Sequence, residues 1–281
     1  MADTVAADLT DLQRKHWNDV AGGWGTLLSW TQRNFAPLAE WCRRTGYWAP
    51  GTRVLDVGCG AGFPALEAAA SVRPDGTLVA IDLSPEMVAV AARGAKAARL
   101  DNIEFAEMDA EHLLFPDESF DAATNAYGLM FCADPARAIG EARRVLRSRG
   151  RAAFVTWDEP SRNPFFTVMM GVGRSFLSLA PPDPAAPGPF RLSSVRALES
   201  MMSEAGFSDV RVEALPMTFE CATVDEYCQI FAEVAWKARM AALSIEEMAR
   251  FREAVAAAAA PYSVDGRLRL QTTSLCASGR K

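Results

Sequence analysis

The sequence predicts an α/β protein whose sheet is mostly parallel and carries helices on both faces. Short apolar runs bounded by turn residues alternate with helix-type segments from position 53 to position 157. This alternation is typical of parallel strands joined by crossover helices. The first run, Arg53–Val57, is followed by Gly58, Gly60 and Gly62, and glycines spaced in this way allow a tight turn between a buried strand and a helix.

The composition is that of an ordinary globular protein. Of the 281 residues, 50% are hydrophobic and 23% are charged, so the chain can bury one large core or one core and a smaller cap. The formal net charge of −6 argues against a nucleic-acid partner, because binding to a phosphate backbone relies on clustered lysines and arginines. No apolar run approaches the roughly 18 residues of a membrane span, and the chain does not begin like a signal peptide. We therefore expect no membrane span and a cytoplasmic location.

The six cysteines are scattered without a Cys-x-x-Cys pair, and the chain has only two histidines. This pattern is neither that of a disulfide framework nor that of a zinc site, so we expect no metal. The sequence does not set the oligomeric state and leaves a homodimer open.

The N-terminal region is predicted to be helical. Residues 5–20 form one helix, which the glycine-rich residues 21–25 break, and a second helix covers residues 28–44 before a turn at 46–51. Apolar patterns and caps predict the rest of the elements. The strands lie at residues 77–82, 102–109, 120–125, 150–157, 209–216 and 267–277, and the helices at residues 64–72, 85–99, 136–146, 165–179 and 193–205, with two more that begin at capping boxes at Thr223 and Ser244. The five prolines within residues 181–189 predict a loop there.

The glycine-rich turn indicates a ligand, because it lets a ligand approach the main chain and because a helix N-terminus favours an anion. The second strand, Thr77–Asp82, places its final carboxylate 20 positions after Gly62, where it can bind both hydroxyls of a ribose. The dinucleotide fingerprint G-x-G-x-x-G would need its third glycine where Phe63 stands. A nicotinamide-dependent oxidoreductase is therefore disfavoured but stays an alternative.

The segment Asp56-Val-Gly-Cys-Gly-Ala-Gly62 resembles the first motif of class I S-adenosylmethionine-dependent methyltransferases. The resemblance implies a Rossmann-like class I methyltransferase fold with seven strands, the last of them antiparallel, and S-adenosyl-L-methionine as cofactor. It also implies transfer of a methyl group to a small, apolar or aromatic metabolite by direct SN2 displacement. A non-catalytic S-adenosylmethionine-binding module is the other alternative.

Residues 114–157 are similar to the ubiquinone and menaquinone C-methyltransferase group of this family. The similarity lies in the order Phe-Pro-Asp-x-Ser-Phe-Asp, Asp-Pro and Glu-x-x-Arg-Val-Leu, and in Tyr127-Gly-Leu. The sequel Met130-Phe-Cys departs from the Arg-Asn-Val of that group, and Ser148-Arg stands where Pro-Gly is usual. These departures leave a quinol acceptor open.

The resemblance implies a role for each strand end. Asp56 would lie close to the methionine ammonium, and the methionine carboxylate would face the helix after the turn. Asp82 would bind the ribose, Met87 would pack near the adenine, and Asp109 would accept the adenine amino group. A solvated loop acid is the alternative for Asp109, and Cys59 is expected to be a small packed residue rather than a reactive thiol. The cofactor-binding residues implied are Trp24, Asp56, Gly58, Cys59, Gly60, Gly62, Asp82, Leu83, Met87, Asp109, Ala110 and Asn125.

Trp17 and Trp24 follow the pattern aromatic-x-x-x-Ala-x-x-aromatic, which in similar enzymes belongs to a segment that folds over the cofactor. The alternative is that both tryptophans anchor a helix pair in the core. The apolar segments at residues 165–179 and 220–240 suggest a mostly closed acceptor pocket, although they could equally be core.

His16 and Tyr127 are the candidate catalytic bases, because an oxygen or carbon acceptor benefits from removal of a proton. For His16 the alternative is a partly exposed helix residue, and Asn125 and Trp157 are candidate pocket walls. The predicted organisation has four parts. They are an N-terminal helical lid at residues 1–50, a cofactor-binding core at 51–160, an acceptor-side insertion and helix at 161–206, and closing strands at 207–281 with a helical cap insertion at 220–262.

Overall fold

The computed structural model describes residues 2–45, 47–181 and 183–281, so Gly46 of the predicted turn and Pro182 of the predicted proline-rich loop lie outside the described residues, as does Met1. The strands are β1 (Arg53–Val57), β2 (Thr77–Asp82), β3 (Ile103–Glu107), β4 (Phe120–Ala126), β5 (Leu146–Trp157), β6 (Ser208–Cys221), β7 (Ser263–Val264) and β8 (Arg267–Arg280). The helices are α1 (Ala2–Thr26), α2 (Leu28–Asn34), α3 (Ala36–Arg44), α4 (Ala65–Ser71), α5 (Pro85–Ala97), α6 (Pro135–Val145), α7 (Pro164–Phe176), α8 (Val195–Glu204), α9 (Val224–Phe231), α10 (Lys237–Ala241) and α11 (Ile245–Ala259). A π-helix, Ala232–Trp236, joins α9 to α10.

The strands form one sheet in the order β3-β2-β1-β4-β5-β8-β6, and the two-residue strand β7 pairs with β8. Neighbouring strands from β3 to β5 are parallel, whereas β8 runs antiparallel to both β5 and β6. The predicted mostly parallel sheet with an antiparallel closing strand is confirmed, and β7 is an additional short strand. The strand order reverses between β1 and β4, and ligands in such sheets bind outside the carboxyl ends of the strands at the reversal.

The centre of the sheet is covered on both faces. Residues 54–57 of β1 are all buried, and since successive side chains of a strand point to opposite faces, both faces lie under other elements. Leu38 and Trp41 of α3 are buried in the same core as Leu55 and Phe120 of the sheet. The third N-terminal helix therefore belongs to the core.

Helix α1 does not end where the sequence predicts. It continues through Gly22 and Gly23 to Thr26, so the predicted break at residues 21–25 is wrong. A Cβ atom at position 23 would lie 2.2 Å from the carbonyl oxygen of Glu233, in the π-helix. Glycine at position 23 is thus required by the close approach of two helices rather than by a turn.

Strand β6 extends beyond Pro216, where the sequence predicts its end, and reaches Cys221. Proline lacks an N–H group, and strands tolerate it where that group would face away from the sheet. Strand β6 is such an edge, because it pairs only with β8 in the described sheet. Strand β5 similarly begins at Leu146 rather than at residue 150, and its pairing with β4 has a register shift between Phe120 and Ala122.

Both predicted capping boxes start helices. Ser244 and Glu247 bond each other's backbone N–H groups at the start of α11. At the start of α9 the side chain of Thr223 accepts from the N–H of Glu226, whereas the Glu226 carboxylate accepts from Ala222. Within the described ranges, no helix has the length and apolar character needed to cross a membrane.

Candidate active site

A cavity of about 540 Å³ opens at the carboxyl ends of β1 to β5. We call one part of its wall the cofactor section and another part the aromatic section. The cofactor section consists of Gly58, Gly60, Ala61, Asp82, Leu83, Met87, Met108, Asp109, Ala110 and Glu111. The aromatic section consists of Trp30, Phe35, Phe63, Tyr127, Trp157, Phe165, Phe166, Phe219, Phe231 and Trp236.

The glycine-rich turn has a conformation that side chains disfavour. The φ angles of Gly58, Gly60 and Gly62 are +72°, +53° and +114°. A Cβ atom at position 60 would meet no protein atom within 4 Å, so the backbone there faces open space along the cavity wall. At position 62 the Cβ would press on Leu66, which shows that this glycine serves the packing of α4.

Asp82 ties the turn to the end of β2. Its two carboxylate oxygens accept hydrogen bonds from the N–H groups of Gly60, at 2.8 Å, and Ser84, at 2.9 Å. Burial raises its pKa to about 6, against the effect of these backbone bonds. A carboxylate has about four lone-pair sites, so it can still accept from a ligand at the cavity wall.

Asp56 lies behind the turn and does not line the cavity. It is 1% exposed, and one of its oxygens accepts from the Thr124 hydroxyl at 2.6 Å. Its Oδ2 atom is buried without a hydrogen-bond partner among the described residues. Burial raises the pKa of this carboxyl to about 7, so a nearby cation would be needed to keep it ionised well below neutral pH.

Asp109 begins the loop after β3. Its Oδ1 accepts from the N–H of Glu111 at 2.9 Å, and its Oδ2 lies 3.1 Å from Nδ1 of His112. Glu111 is buried and accepts from the N–H of Asp134 at 3.0 Å, which fixes the loop against the start of α6. Burial raises the pKa of Glu111.

Helix α1 covers the cofactor section. It packs on α5 next to Met87 and Val90, and Asn18 of α1 contacts the Ser84 hydroxyl at 2.6 Å. Trp17 and Trp24 are packed against the same small cluster and also line the cavity. The cover over the cofactor stays a prediction.

The cofactor implied by the resemblance fits this wall. The space over Gly60 is open, and the Asp82 carboxylate borders it. Two polar atoms of α1, Gln13 Oε1 and Trp24 Nε1, are buried without a partner among the described residues although their side chains line the cavity. Buried polar atoms of this kind are costly unless a bound group satisfies them.

The aromatic section is built from rings that contact one another. Phe35 contacts Tyr127 with centroids 5.3 Å apart, Tyr127 stacks on Trp157 at 4.2 Å, and Phe165 packs edge-on to Phe219 at 4.9 Å. All the acidic side chains and the histidine that line the cavity, namely Asp82, Asp109, Glu111 and His16, lie in the cofactor section or on α1. The aromatic section therefore offers no charged group from the described residues.

The two candidate bases differ in their surroundings. The Tyr127 hydroxyl lies 2.7 Å from the Ser274 hydroxyl, and burial raises the pKa of Tyr127 well above its usual range. His16 is exposed on α1 at the edge of the cavity, and desolvation lowers its pKa, partly offset by Asp19. A neutral imidazole at neutral pH can accept a proton, whereas a buried tyrosine with a raised pKa cannot readily supply a phenolate.

Most of the predicted site residues meet at this cavity. Those that line it are His16, Trp24, Gly58, Gly60, Asp82, Leu83, Met87, Asp109, Ala110, Asn125, Tyr127 and the predicted wall Trp157. Asp56, Cys59 and Gly62 do not line it. The Asn125 side chain accepts from the N–H groups of Gly128 and Leu129, and so holds the turn after β4.

Several cavity residues were not predicted. They include Gln13, Thr31, Phe35, Phe63, Met108, Glu111 and Phe219. The two apolar segments expected to form a pocket do line it, at Phe165, Phe166 and Met170 and at residues 230, 231 and 234–236. The aromatic residues Trp30, Phe35 and Trp41, closely spaced in the sequence, could have indicated that the region of α2 contributes to the cavity. Among the described residues, no group of three or more His, Cys, Asp or Glu could hold a metal ion.

Residues 55–154 match the family described as a methyltransferase domain. The demethylmenaquinone methyltransferase of Thermus thermophilus is 35% identical over 187 residues, which are 61% of this chain and 80% of the relative. The enzyme of that name from Listeria monocytogenes is 32% identical over 176 residues, or 57% of this chain and 72% of the relative. The crystal structure of the YcgJ protein from Bacillus subtilis superposes with a TM-score of 0.55 at 22% identity, over 86% of this chain and 97% of that chain.

These matches agree with the strand order, the glycine-rich turn and the acidic strand ends. They give no support to the oxidoreductase or to the non-catalytic binding module. The chain belongs to the class I S-adenosylmethionine-dependent methyltransferases, in the group that includes the demethylmenaquinone methyltransferases, and is an enzyme that methylates a small molecule with S-adenosyl-L-methionine as cofactor.

Proposed function

We propose that the acceptor of this methyltransferase is an uncharged aromatic molecule that binds in the aromatic section. The observation that carries the proposal is the composition of that wall, whose described side chains are aromatic and carry no charge. An aromatic ligand gains edge-to-face and stacked contacts there, each worth about 0.5–1.5 kcal/mol beyond burial. A charged acceptor would lose its hydration without a partner, which is strongly unfavourable.

The names of two relatives make this class more specific. Demethylmenaquinone is a quinone, and its reduced form is an uncharged aromatic diol. A hydroquinone is therefore the first acceptor to test, although residues 130–132 depart from the pattern of the quinone group.

The proposed roles of the cofactor residues follow from their positions. Trp24, Gly58, Gly60, Asp82, Leu83, Met87, Asp109, Ala110 and Asn125 line the cavity and are proposed to touch the cofactor. Asp56 lies behind the turn, and Cys59 and Gly62 belong to the turn without lining the cavity; all three are proposed to support the cofactor from outside the cavity wall. The Asp56 Oδ2 atom, buried without a partner, is the group that a nearby ammonium would stabilise.

When bound, the cofactor supplies a methyl group that is already activated by a positive sulfur. The protein's contribution is then alignment and exclusion of water, and alignment alone can supply roughly 7–11 kcal/mol. Helix α1 and the π-helix close the cavity, and the aromatic rings orient the acceptor. His16 is proposed to accept the proton that the acceptor loses, while Tyr127 is proposed as a wall because its hydroxyl is bound to Ser274.

The four-part organisation at residues 1–50, 51–160, 161–206 and 207–281 is retained as a proposal with one change. The lid role is assigned to α1, because α3 lies in the core. The cytoplasmic location, the homodimer and the absence of a nucleic-acid partner remain predictions from the sequence.

The test uses methyl-deuterated S-adenosylmethionine with three acceptors, which are 1,4-naphthohydroquinone, glycine and ethanolamine. Mass spectrometry should find the deuterated methyl group on the hydroquinone and on neither polar amine. Labelling of an amine in preference to the hydroquinone would contradict the proposed acceptor class. Fragmentation of the product would show whether carbon or oxygen carries the new methyl group.

A further inference from the structure

A hydroxyl group in the cavity wall, that of Thr31, has no hydrogen-bond partner among the described residues. Thr31 of α2 is 6% exposed, and its side chain lines the cavity. Its Oγ1 atom is buried without a hydrogen bond to any of the described residues. Leaving a buried hydroxyl unsatisfied costs about 1–3 kcal/mol, so such a group calls for a physical explanation.

Other helical hydroxyls of this chain are satisfied locally. Thr26, Ser71 and Thr167 each donate to the carbonyl oxygen four residues earlier, at 3.1, 2.8 and 3.4 Å. This bond is the usual solution for Ser and Thr within a helix. The carbonyl of Leu27 stands at the same place for Thr31 and accepts its backbone N–H at 2.8 Å, yet the Thr31 hydroxyl does not bond to it.

Helix α2 is held so that Thr31 remains against the cavity. Trp30 donates from Nε1 to the carbonyl of Glu220 at 3.0 Å, and Asn34 accepts from the N–H of Glu220 at 2.7 Å. Asn34 also donates to the carbonyl of Trp30 at 3.0 Å, which closes the connection between α2 and β6. Residues on both sides of Thr31 are thus fixed to one residue of a strand.

Aromatic residues on both sides of Thr31 in the chain line the same cavity and pack on other rings. Trp30 stacks on Phe165 with centroids 5.6 Å apart, and Phe35, four residues after Thr31, packs on Phe63 and Phe219 at 5.6 and 4.7 Å. A hydroxyl is both a donor and an acceptor, so it can pair with a ring oxygen in either protonation state. It would be the polar group of α2 that an acceptor meets among these rings.

We infer that Thr31 hydrogen-bonds an oxygen substituent on the aromatic acceptor and thereby selects oxygenated rings over rings without oxygen. This inference rests on the proposed function, because it assumes that an aromatic acceptor occupies the aromatic section. Thr31 acts as a specificity-determining residue, and it takes no part in breaking or forming the methyl bond. A site with a buried polar group rejects an analogue that lacks the matching group, because the protein atom then stays unpaired.

The experiment compares Thr31→Val and Thr31→Ser with the unchanged protein. Valine keeps the shape and removes the hydroxyl, whereas serine keeps the hydroxyl. With 1,4-naphthohydroquinone as acceptor, Thr31→Val should raise KM about 3- to 10-fold, the equivalent of one ordinary hydrogen bond, and leave kcat within about twofold. Thr31→Ser should stay near the KM of the unchanged protein.

Thr167→Val is the matched control, because Thr167 lies on α7, does not line the cavity and already has a hydrogen-bond partner. It should leave KM for the hydroquinone unchanged but lower the melting temperature slightly. Thr31→Val should leave the melting temperature unchanged or raise it, since it removes an unpaired buried hydroxyl. If the role of Thr31 were purely structural, Thr31→Val would instead lower the melting temperature and leave KM for the hydroquinone unchanged.

A second measurement separates this inference from the proposed function. The unchanged protein, loaded with S-adenosylhomocysteine, is titrated with 1-naphthol and with naphthalene. Tighter binding of 1-naphthol that is lost in Thr31→Val supports the inference even if the hydroquinone is not methylated. Equal binding of the two ligands, or an unchanged preference in Thr31→Val, would overturn it. If neither ligand binds, both the proposed aromatic site and the inference are contradicted. If 1-naphthol and naphthalene bind but 1,4-naphthohydroquinone is not methylated, only the choice of a hydroquinone as acceptor is contradicted.

Discussion

The two sections of the cavity are built in different ways. The cofactor section consists largely of residues that directly follow β1, β2 and β3, and its contacts involve backbone N–H groups and carboxylates. The aromatic section draws side chains from the N-terminal helices, the segment between β1 and α4, the ends of β4 and β5, α7, β6, α9 and the π-helix. One section is therefore a property of local segments, and the other is a property of their assembly.

The two sections should respond differently to single substitutions. The turn and the strand ends are held by specific hydrogen bonds, such as those of Asp82 to the N–H groups of Gly60 and Ser84, so a change at one of these residues disrupts the site. A wall of rings from distant segments can change one ring at a time, since each ring contributes contact area and the others keep water out. Cofactor binding should therefore depend steeply on single residues, and acceptor binding should depend on them more gradually.

Asp82→Ala should have the largest effect of these substitutions on cofactor affinity. The two charge-assisted bonds that we propose between Asp82 and the ribose are worth about 1.5–3 kcal/mol each, so affinity for S-adenosylhomocysteine should fall at least about 100-fold. Titration calorimetry measures this loss. Asp101→Ala is the control, because Asp101 is an exposed carboxylate that pairs with Arg73. If Asp82→Ala and Asp101→Ala bind S-adenosylhomocysteine equally well, Asp82 does not contact the cofactor.

Asp56→Asn tests whether the buried carboxyl behind the glycine-rich turn lowers the stability of the ligand-free protein. Burial raises the pKa of Asp56 to about 7, above its ordinary value in the unfolded chain, so the native state favours the neutral carboxyl. Stability from this group is fully present below about pH 4 and is lost as the pH rises through about 7. The free energy of unfolding of the variant should therefore rise relative to that of the unchanged protein over that range, by at most about 4 kcal/mol at pH 8.

Urea unfolding of both ligand-free proteins at pH 5, 6, 7 and 8 measures this gain. If the free energies of unfolding of the two proteins differ by the same amount at all four pH values, Asp56 does not titrate in this range. The same experiment with S-adenosylhomocysteine added should reduce the gain, because the ammonium proposed to lie nearby stabilises the ionised carboxylate.

Gly23→Ala changes the place where α1, which lines the cavity beside the cofactor section, meets the π-helix, which contributes Trp236 to the aromatic section. The added methyl group would lie 2.2 Å from the carbonyl oxygen of Glu233, so one helix must shift. Overpacking of this kind costs about 1–3 kcal/mol. The melting temperature should fall, and affinity for the cofactor should weaken because α1 covers it. An unchanged melting temperature would show that the helices separate without cost.

Gly22→Ala is the matched control and should have the smallest effect, with the opposite sign. A Cβ atom at position 22 would meet nothing within 4 Å, and the residue lies inside α1. Alanine in an open helical position stabilises a helix by about 0.5–1 kcal/mol relative to glycine. Thermal unfolding should show a small rise, and a fall would mean that the helix is not continuous at this position.

The sequence predicted the parts of the protein that local chemistry controls. Alternating apolar runs, the Ser84 and Ser244 caps and the glycines after β1 each specify a strand, a helix start or a turn within a few residues. The acidic strand ends could be assigned to one cavity because parallel strands bring their carboxyl ends to the same edge of the sheet. The family resemblance then supplied the cofactor, and the structure shows that Asp82 and Asp109 share a cavity wall.

Where long-range packing competes with local preference, the sequence alone misleads. Gly22 and Gly23 predict a break, yet α1 continues through both, and the glycine at position 23 is explained by the close approach of Glu233, 210 positions later. Pro216 predicts a strand end, yet β6 continues because it lies at the edge of the sheet.

The sequence by itself therefore determined the sheet, the glycine-rich turn and the acidic contacts of the cofactor section. The sequence also indicated Tyr127, Trp157 and two apolar segments of the aromatic section, whereas the contributions of Trp30, Phe35 and Phe63 and the unpaired hydroxyl of Thr31 follow only from the tertiary structure. The physical reason is range, since backbone conformation and capping act over a few residues, whereas a cavity wall is formed by side chains whose segments meet only after the sheet has assembled.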